Sequence, residues 1–267
     1  MSTEDRYALI LETLMTEGHV ETATLTRTLG VSEMTIRRDL MRLESDGALR
    51  RVRGGAMRAN GGSYEPPFTV RTRLRSVEKD AIARAVVRHI TDGETIVLDG
   101  GTTGLAIAEQ LVSKLTTVCP LSLRAAAILI DSRTVRVLTP GGYIRHDEHT
   151  FVGTEAIETI SNHAFDTFIM TASGISAHAG FTEWNEEDAD VKRVALTSSK
   201  RCIVACDSSK FGQAAFSRVA AISEAELIVT DSGVDPAIRR ELEELGTQVE
   251  VASVHDEAQH AGAFARD

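Results

Sequence analysis

A chain of 267 residues, 42% of them hydrophobic, is long for one domain and comfortable for two, and no stretch of it approaches the roughly 18 uninterrupted apolar residues that a membrane span requires. Residues 1–6 carry neither the basic start nor the apolar run of a secretory signal, and the three cysteines, Cys119, Cys202 and Cys206, are too few and too irregularly spaced for a disulfide framework or a tetrahedral zinc site; the expectation is a cytoplasmic protein with buried free thiols, no metal and no cofactor. The net charge of −10 argues against a nucleic-acid partner, because phosphate contacts need Lys and Arg.

The distribution of charge answers that objection. Through residue 58 nine arginines balance nine acids, and residues 37–58 hold seven of those arginines against three acids, a local basic surface on an otherwise acidic chain. Tyr7, Ile10, Leu11 and Leu14 recur at three- and four-residue steps until Gly18, which predicts a helix over 5–17. A short helix over 22–29 must be held by packing of Leu25 and Leu29, since its four threonines are mediocre helix formers. Gly30 breaks the chain, and Ser32 caps a third helix over 32–46. There Ile36, Leu40 and Leu43 form an apolar stripe, Thr35, Arg38 and Arg42 a second face, and Glu33 and Arg37 a third. This is the order of a helix-turn-helix, whose last helix enters the major groove N-terminus first. Residues 48–56, with Arg50, Arg51 and Arg53, read as a short β-wing along the phosphate backbone.

From 57 to 75 periodicity vanishes into Asn60, Gly61, Gly62, Ser63, Pro66 and Pro67, which is loop chemistry. The expected organisation is a winged helix-turn-helix over 1–58, a linker over 59–75 and a second domain over 76–267. In the last, apolar runs at 95–98, 117–120, 135–139, 167–171, 202–205, 227–230 and 249–252 alternate with helical patterns at 76–90, 103–114, 122–131, 187–198 and 235–245. That alternation predicts a parallel, doubly wound, Rossmann-like α/β sheet.

The run Gly30-Val31-Ser32-Glu33-Met34-Thr35-Ile36-Arg37-Arg38-Asp39-Leu40, followed by Leu43, Gly47, Leu49 and Arg53-Gly54-Gly55-Ala56, closely resembles the DeoR family of bacterial sugar-catabolism repressors. The resemblance continues through Asp99-Gly100-Gly101-Thr102-Thr103, Gly141-Gly142 with Arg145, Phe151-Val152-Gly153, Lys192 and Asp207-Ser208-Ser209-Lys210-Phe211-Gly212, nearly the whole chain. It implies a winged-helix reader joined to a sensor domain related in fold to ribose-phosphate isomerases, a homo-oligomer (dimer or tetramer), and release from operator DNA by a phosphorylated sugar.

Two sets of candidate residues follow. For double-stranded operator DNA they are Ser32, Glu33, Thr35, Arg37, Arg38 and Arg42 on the third helix and Arg50, Arg51 and Arg53 on the wing. Singly, each helix arginine reads more readily as solvated surface; together they suit guanine edges and phosphates, with base and phosphate roles left open. For the effector, Asp99, Gly100, Gly101, Thr102 and Thr103 lie between a strand and a helix, where doubly wound folds place ligands and helix amides favour phosphate, although a tight turn needing glycine explains them too. Asp207, Lys210 and Lys192 are assigned to the same pocket, with Gly142 and Arg145; Arg145 either neutralises an anion or pairs with Asp147 or Glu148.

The sequence departs from the family at Pro120-Leu121-Ser122, where relatives commonly carry Thr-Asn-Ser, and Leu121 in place of an amide suggests a shifted effector preference. His178, Glu183 and Trp184 are further candidates for specificity. The competing reading is a sugar-phosphate isomerase using Asp99 or Asp207 as a base; a complete winged helix has no use in such an enzyme, so a regulator without catalytic residues is expected. An activator with the same DNA contacts is the third reading.

Overall fold

The computed structural model describes residues 1–45, 48–58 and 65–254 and divides into two compact units, Met1–Ser76 and Val77–Asp267. In the first, α1 (Thr3–Glu17) starts two residues earlier than its apolar pattern, because Ser2 and Asp5 form a reciprocal capping box. Gly18 ends it, and a strand that the sequence did not announce follows, β1 (His19–Glu21). Then come α2 (Thr22–Leu29), α3 (Glu33–Ser45), β2 (Leu49–Val52) and β3 (Gly55–Arg58), with strand order β1-β3-β2. Ile10, Leu14, Leu25, Leu29, Ile36, Leu40, Leu43 and Leu49 form one core, so the threonine-rich α2 is indeed held by tertiary packing. Arg6 and Asp39 pair within that interior and tie α1 to α3.

Residues expected in the linker behave differently. Phe68–Arg73 form a helix, α4, whose Val70 joins the core of the first unit and whose Arg73 pairs with Asp5 at 2.6 Å. Apolar Phe68 and Val70 outweigh the loop composition that precedes them. Residues 59–64 of the expected linker lie outside the described residues.

The second unit runs α5 (Ser76–Arg88), β4 (Thr95–Leu98), α6 (Gly101–Leu111), β5 (Thr116–Pro120), α7 (Leu123–Leu129), β6 (Val135–Val137), β7 (Tyr143–Ile144), β8 (Phe151–Val152), α8 (Thr154–Ser161), β9 (Phe165–Met170), β10 (Gly174–Ser176), β11 (Gly180–Glu183), α9 (Glu186–Thr197), β12 (Ser199–Ala205), β13 (Ser217–Ala220), β14 (Leu227–Asp231), α10 (Pro236–Glu244) and β15 (Gln248–Ala252). All seven strands expected from the sequence form one sheet, in the order β15-β14-β12-β9-β4-β5-β6, and every pairing in it is parallel. Alternate residues face opposite cores: Ile96 and Leu98 pack with α5, α6 and α7, and Val97 with α8, α9 and α10. Burial on both faces explains the continuous apolar runs. The three cysteines are buried and free. Among the described residues no helix is long and apolar enough to cross a membrane.

Candidate functional site

The residues proposed to read DNA sit on α3 and on the β2–β3 hairpin. Ser32 accepts from the Thr35 amide at 3.2 Å and its hydroxyl meets that of Thr35 at 2.9 Å, so it serves α3 as a cap. Glu33 and Arg37 pair with each other at 2.6 Å. Arg42 is exposed, and Arg51 lies against Glu44, its amide donating to that carboxylate at 2.9 Å. The side chains of Arg38, Arg50 and Arg53 are exposed and make no hydrogen bond or ion pair among the described residues. These three guanidiniums therefore keep all their donors for an external acceptor.

In the second unit the strand order reverses between β4 and β9: the chain leaves β4 for β5 and β6, then returns to the other side for β9, β12, β14 and β15. Asp99 and Thr171 follow the carboxyl ends of those two strands and are clasped together. The Asp99 carboxylate accepts from the Thr171 amide at 2.8 Å and its hydroxyl at 3.0 Å, and from the Gly100 amide at 2.7 Å. Gly101 opens α6 with a φ of 77°, in the left-handed region, and a Cβ on Gly100 would lie 2.8 Å from the Thr150 methyl. Glycine is required here by both turn and packing, at a point where the first amides of α6 have no intrahelical acceptor. Thr102 and Thr103 are buried in the same turn.

Lys192 reaches this clasp from α9 but is no loose cation. It is 5% exposed, and its ammonium meets Asp99 at 2.9 Å, the Thr171 carbonyl at 3.1 Å and the Glu183 carboxylate. Three partners match its three donors. Burial alone would lower the affinity of Lys192 for its proton, but the carboxylates of Asp99 and Glu183 outweigh it and hold the group well above its ordinary range. Glu183, buried as well, is held below the usual carboxylate range by Lys192 and by hydrogen bonds from Ser173 and the Trp184 amide. Lys192 thus positions Asp99 and does not present a free charge to a ligand.

Arg145 pairs with Asp188 on α9, at 2.6 Å. Thr150 donates to the same carboxylate at 2.7 Å and backs Gly100, which brings this pair to the border of the loop. Burial pushes the Asp188 carboxyl up despite Arg145. Gly142 turns with a φ of 83°, and a Cβ on it would lie 2.5 Å from the Val152 carbonyl, so the β7–β8 ribbon accounts for that glycine. Leu121 is 3% exposed and lies in the same core cluster as Phe151 and Phe168; the loop after β5 presents Ser122, and not residue 121, to Gly100.

At the neighbouring strand end, Asp207 follows β12 and Lys210 closes a single 3-10 turn, Ser208–Lys210. Burial raises the Asp207 carboxyl, but Lys210, Ser209 and Lys79 together hold it below the usual range. The Lys210 ammonium stands over the Trp184 ring, 4.7 Å from its centroid. Sequence reasoning missed Thr171, Thr150, Asp188 and Lys79. Asp188 stands in the first turn of α9, and Lys79 is buried on α5. A separate groove of about 470 Å³ is lined by Arg193, Arg218, Leu245 and the specificity candidate His178 among others, and by none of residues 99–103, Gly142, Arg145, Lys192, Asp207 and Lys210.

Residues 6–61 match the profile of a DeoR-like helix-turn-helix domain and residues 75–232 that of a DeoR C terminal sensor domain. The chain is 30% identical to the putative aga operon transcriptional repressor of Escherichia coli O157:H7, over 92% of its own length and 93% of that protein's. It is 33% identical to the HTH-type transcriptional repressor GlcR of Bacillus subtilis strain 168, over 86% and 89%. Among solved structures it is similar to ribose 5-phosphate isomerase A of Methanocaldococcus jannaschii, with 14% identity, a TM-score of 0.38, and coverage of 50% of this chain and 53% of that one.

Proposed function

The chain belongs to the DeoR family of transcriptional regulators, and from that membership we propose that it represses a carbohydrate-catabolism operon and leaves its operator when a phosphorylated sugar fills the site around Asp99. The observation that carries this reading is the Asp99–Thr171 clasp at the reversal of strand order, beside the open N-terminus of α6. Ligands of doubly wound sheets bind at such switch points, and a helix N-terminus carries about half a positive charge toward an anion. Gly100, Gly101, Thr102 and Thr103 would hold the phosphate with Lys210 opposite, while Asp99 and Asp207 accept from sugar hydroxyls. Arg145, released from Asp188, is a second cation for the ligand.

The relatives named for repression of the aga operon and as GlcR support the repressor reading. Residues 1–58 would read double-stranded DNA and residues 76–267 would sense the effector and assemble a dimer or tetramer in the cytoplasm, seating paired winged helices on half-sites. Release needs no covalent chemistry: an effector that favours a geometry unable to seat both readers weakens binding by its differential affinity.

The test uses the full-length protein on a duplex selected from random sequence, challenged with a panel of sugar phosphates and their unphosphorylated parents. Release by a phosphorylated member and by no parent supports the proposal. Release by parents at equal concentration, or by no member, overturns it.

A further inference from the structure

Trp184 is the one tryptophan of the chain. It stands in the turn between β11 and α9, directly after the Glu183 that binds Lys192, and its ring carries the ammonium of Lys210 from the turn after β12. A half-buried cation over an indole face is a weak, non-directional arrangement, whereas a phosphate offers the same ammonium charge-assisted hydrogen bonds. The ammonium also faces the Asp207 carboxylate, whose attraction an anion entering beside it must outweigh to draw it off the ring. Its departure would uncover the part of the indole face that Lys210 occupies, a flat apolar surface with a negative quadrupole, which suits polarised C–H bonds lying in a plane.

We propose that Trp184 is a specificity residue of the effector site: its indole holds Lys210 in waiting until phosphate draws the ammonium away, and the bared ring then packs against the carbons of a cyclic sugar phosphate. An acyclic polyol phosphate has no flat C–H face and leaves the indole wet. The inference rests on the proposed effector site, and it adds to that site the class of ligand selected.

The single tryptophan supplies the readout. Emission of the full-length protein is titrated with inorganic phosphate against chloride at fixed ionic strength. A saturable change is expected in the parent and in Lys210→Arg. Lys210→Met should show none and should already emit like the phosphate-saturated parent. No change in the parent, or an equal change in Lys210→Met, overturns the waiting position. Melting temperatures in the same solutions separate the two ideas. Equal stabilisation of parent and Lys210→Met by phosphate keeps the site and removes this inference; no stabilisation by phosphate or any sugar phosphate removes both. For ring packing, each sugar phosphate that stabilises the parent is compared with the polyol phosphate made by reducing it. Trp184→Leu should weaken the cyclic form about tenfold and leave the polyol form unchanged, whereas equal weakening of both overturns the selectivity.

Discussion

Arg6 and Asp39 join α1 to the inner side of α3 through two hydrogen bonds, Nε to Oδ2 at 2.8 Å and Nη2 to Oδ1 at 3.1 Å, both buried. The exposed face of α3 is aimed by this fork as well as by its apolar stripe. Asp39→Ala leaves the Arg6 guanidinium buried and unpaired, a change that typically costs about 3–5 kcal/mol. Chemical denaturation of the variant should show an early transition of the first unit, with the transition of the second unit unmoved. A single transition at the parent's midpoint would mean that the pair is incidental.

Arg38 is expected to meet a base. Its side chain is exposed beside Thr35 and has no partner among the described residues. Arg38→Ala should weaken binding to a selected duplex by about 1–3 kcal/mol and binding to a scrambled one far less. Fluorescence anisotropy on the two duplexes measures this, and an equal loss on both would make Arg38 a phosphate contact.

Lys192 should behave as a structural cation. Lys192→Met leaves Asp99 and Glu183 facing each other in the interior with no counter-charge, so the second unit should lose about 3–5 kcal/mol in urea unfolding. Neutralising one carboxylate as well, in Lys192→Met with Glu183→Gln, should restore part of that loss. A Lys192→Met protein as stable as the parent would return Lys192 to the ligand-binding set.

Lys210 should act on release and not on DNA affinity. Losing one charge-assisted contact costs about 1.5–3 kcal/mol, so Lys210→Ala should bind operator like the parent yet need roughly ten- to a hundredfold more effector for release. Titration of effector into preformed complexes gives the shift, and superimposable release curves would place the pocket elsewhere.

Acid should loosen the sheet at its amino edge. Asp166 is lowered to about 2 by Lys200 and by the amide and hydroxyl of Thr95. A carboxyl lowered in the folded state stabilises fully above its unfolded value of roughly 3.9, and that contribution is lost as the pH falls through its folded value. The melting temperature should fall between about pH 4 and pH 2, and Asp166→Asn should flatten that part of the profile.

Period and punctuation made the large elements legible in the sequence. The seven parallel strands have uninterrupted apolar runs because both faces are buried, and Gly18 and Gly30 mark helix ends by their left-handed conformation. Short pieces were not legible: β1, β7, β8 and β10 hold two or three residues each, too few to show a period. The loop after β4 was found because glycines and threonines at a strand end have local chemistry. Thr171 and Asp188 were not, because they acquire their roles only through tertiary contacts with Asp99 and Arg145, and Glu183 was singled out by its place in a loop and not by its pairing with Lys192.

The burial of Leu121 has an evolutionary consequence. An asparagine at that position must find partners for its amide in the core cluster of Phe151 and Phe168, or lose about 1–3 kcal/mol as an unsatisfied polar group. Trading ligand preference through residue 121 therefore draws on the stability of the sheet, and such a substitution survives in a lineage only after the core around it has been remodelled. Half-buried Trp184 carries no such debt. Drift in what the protein senses would begin at residue 184 and reach residue 121 late.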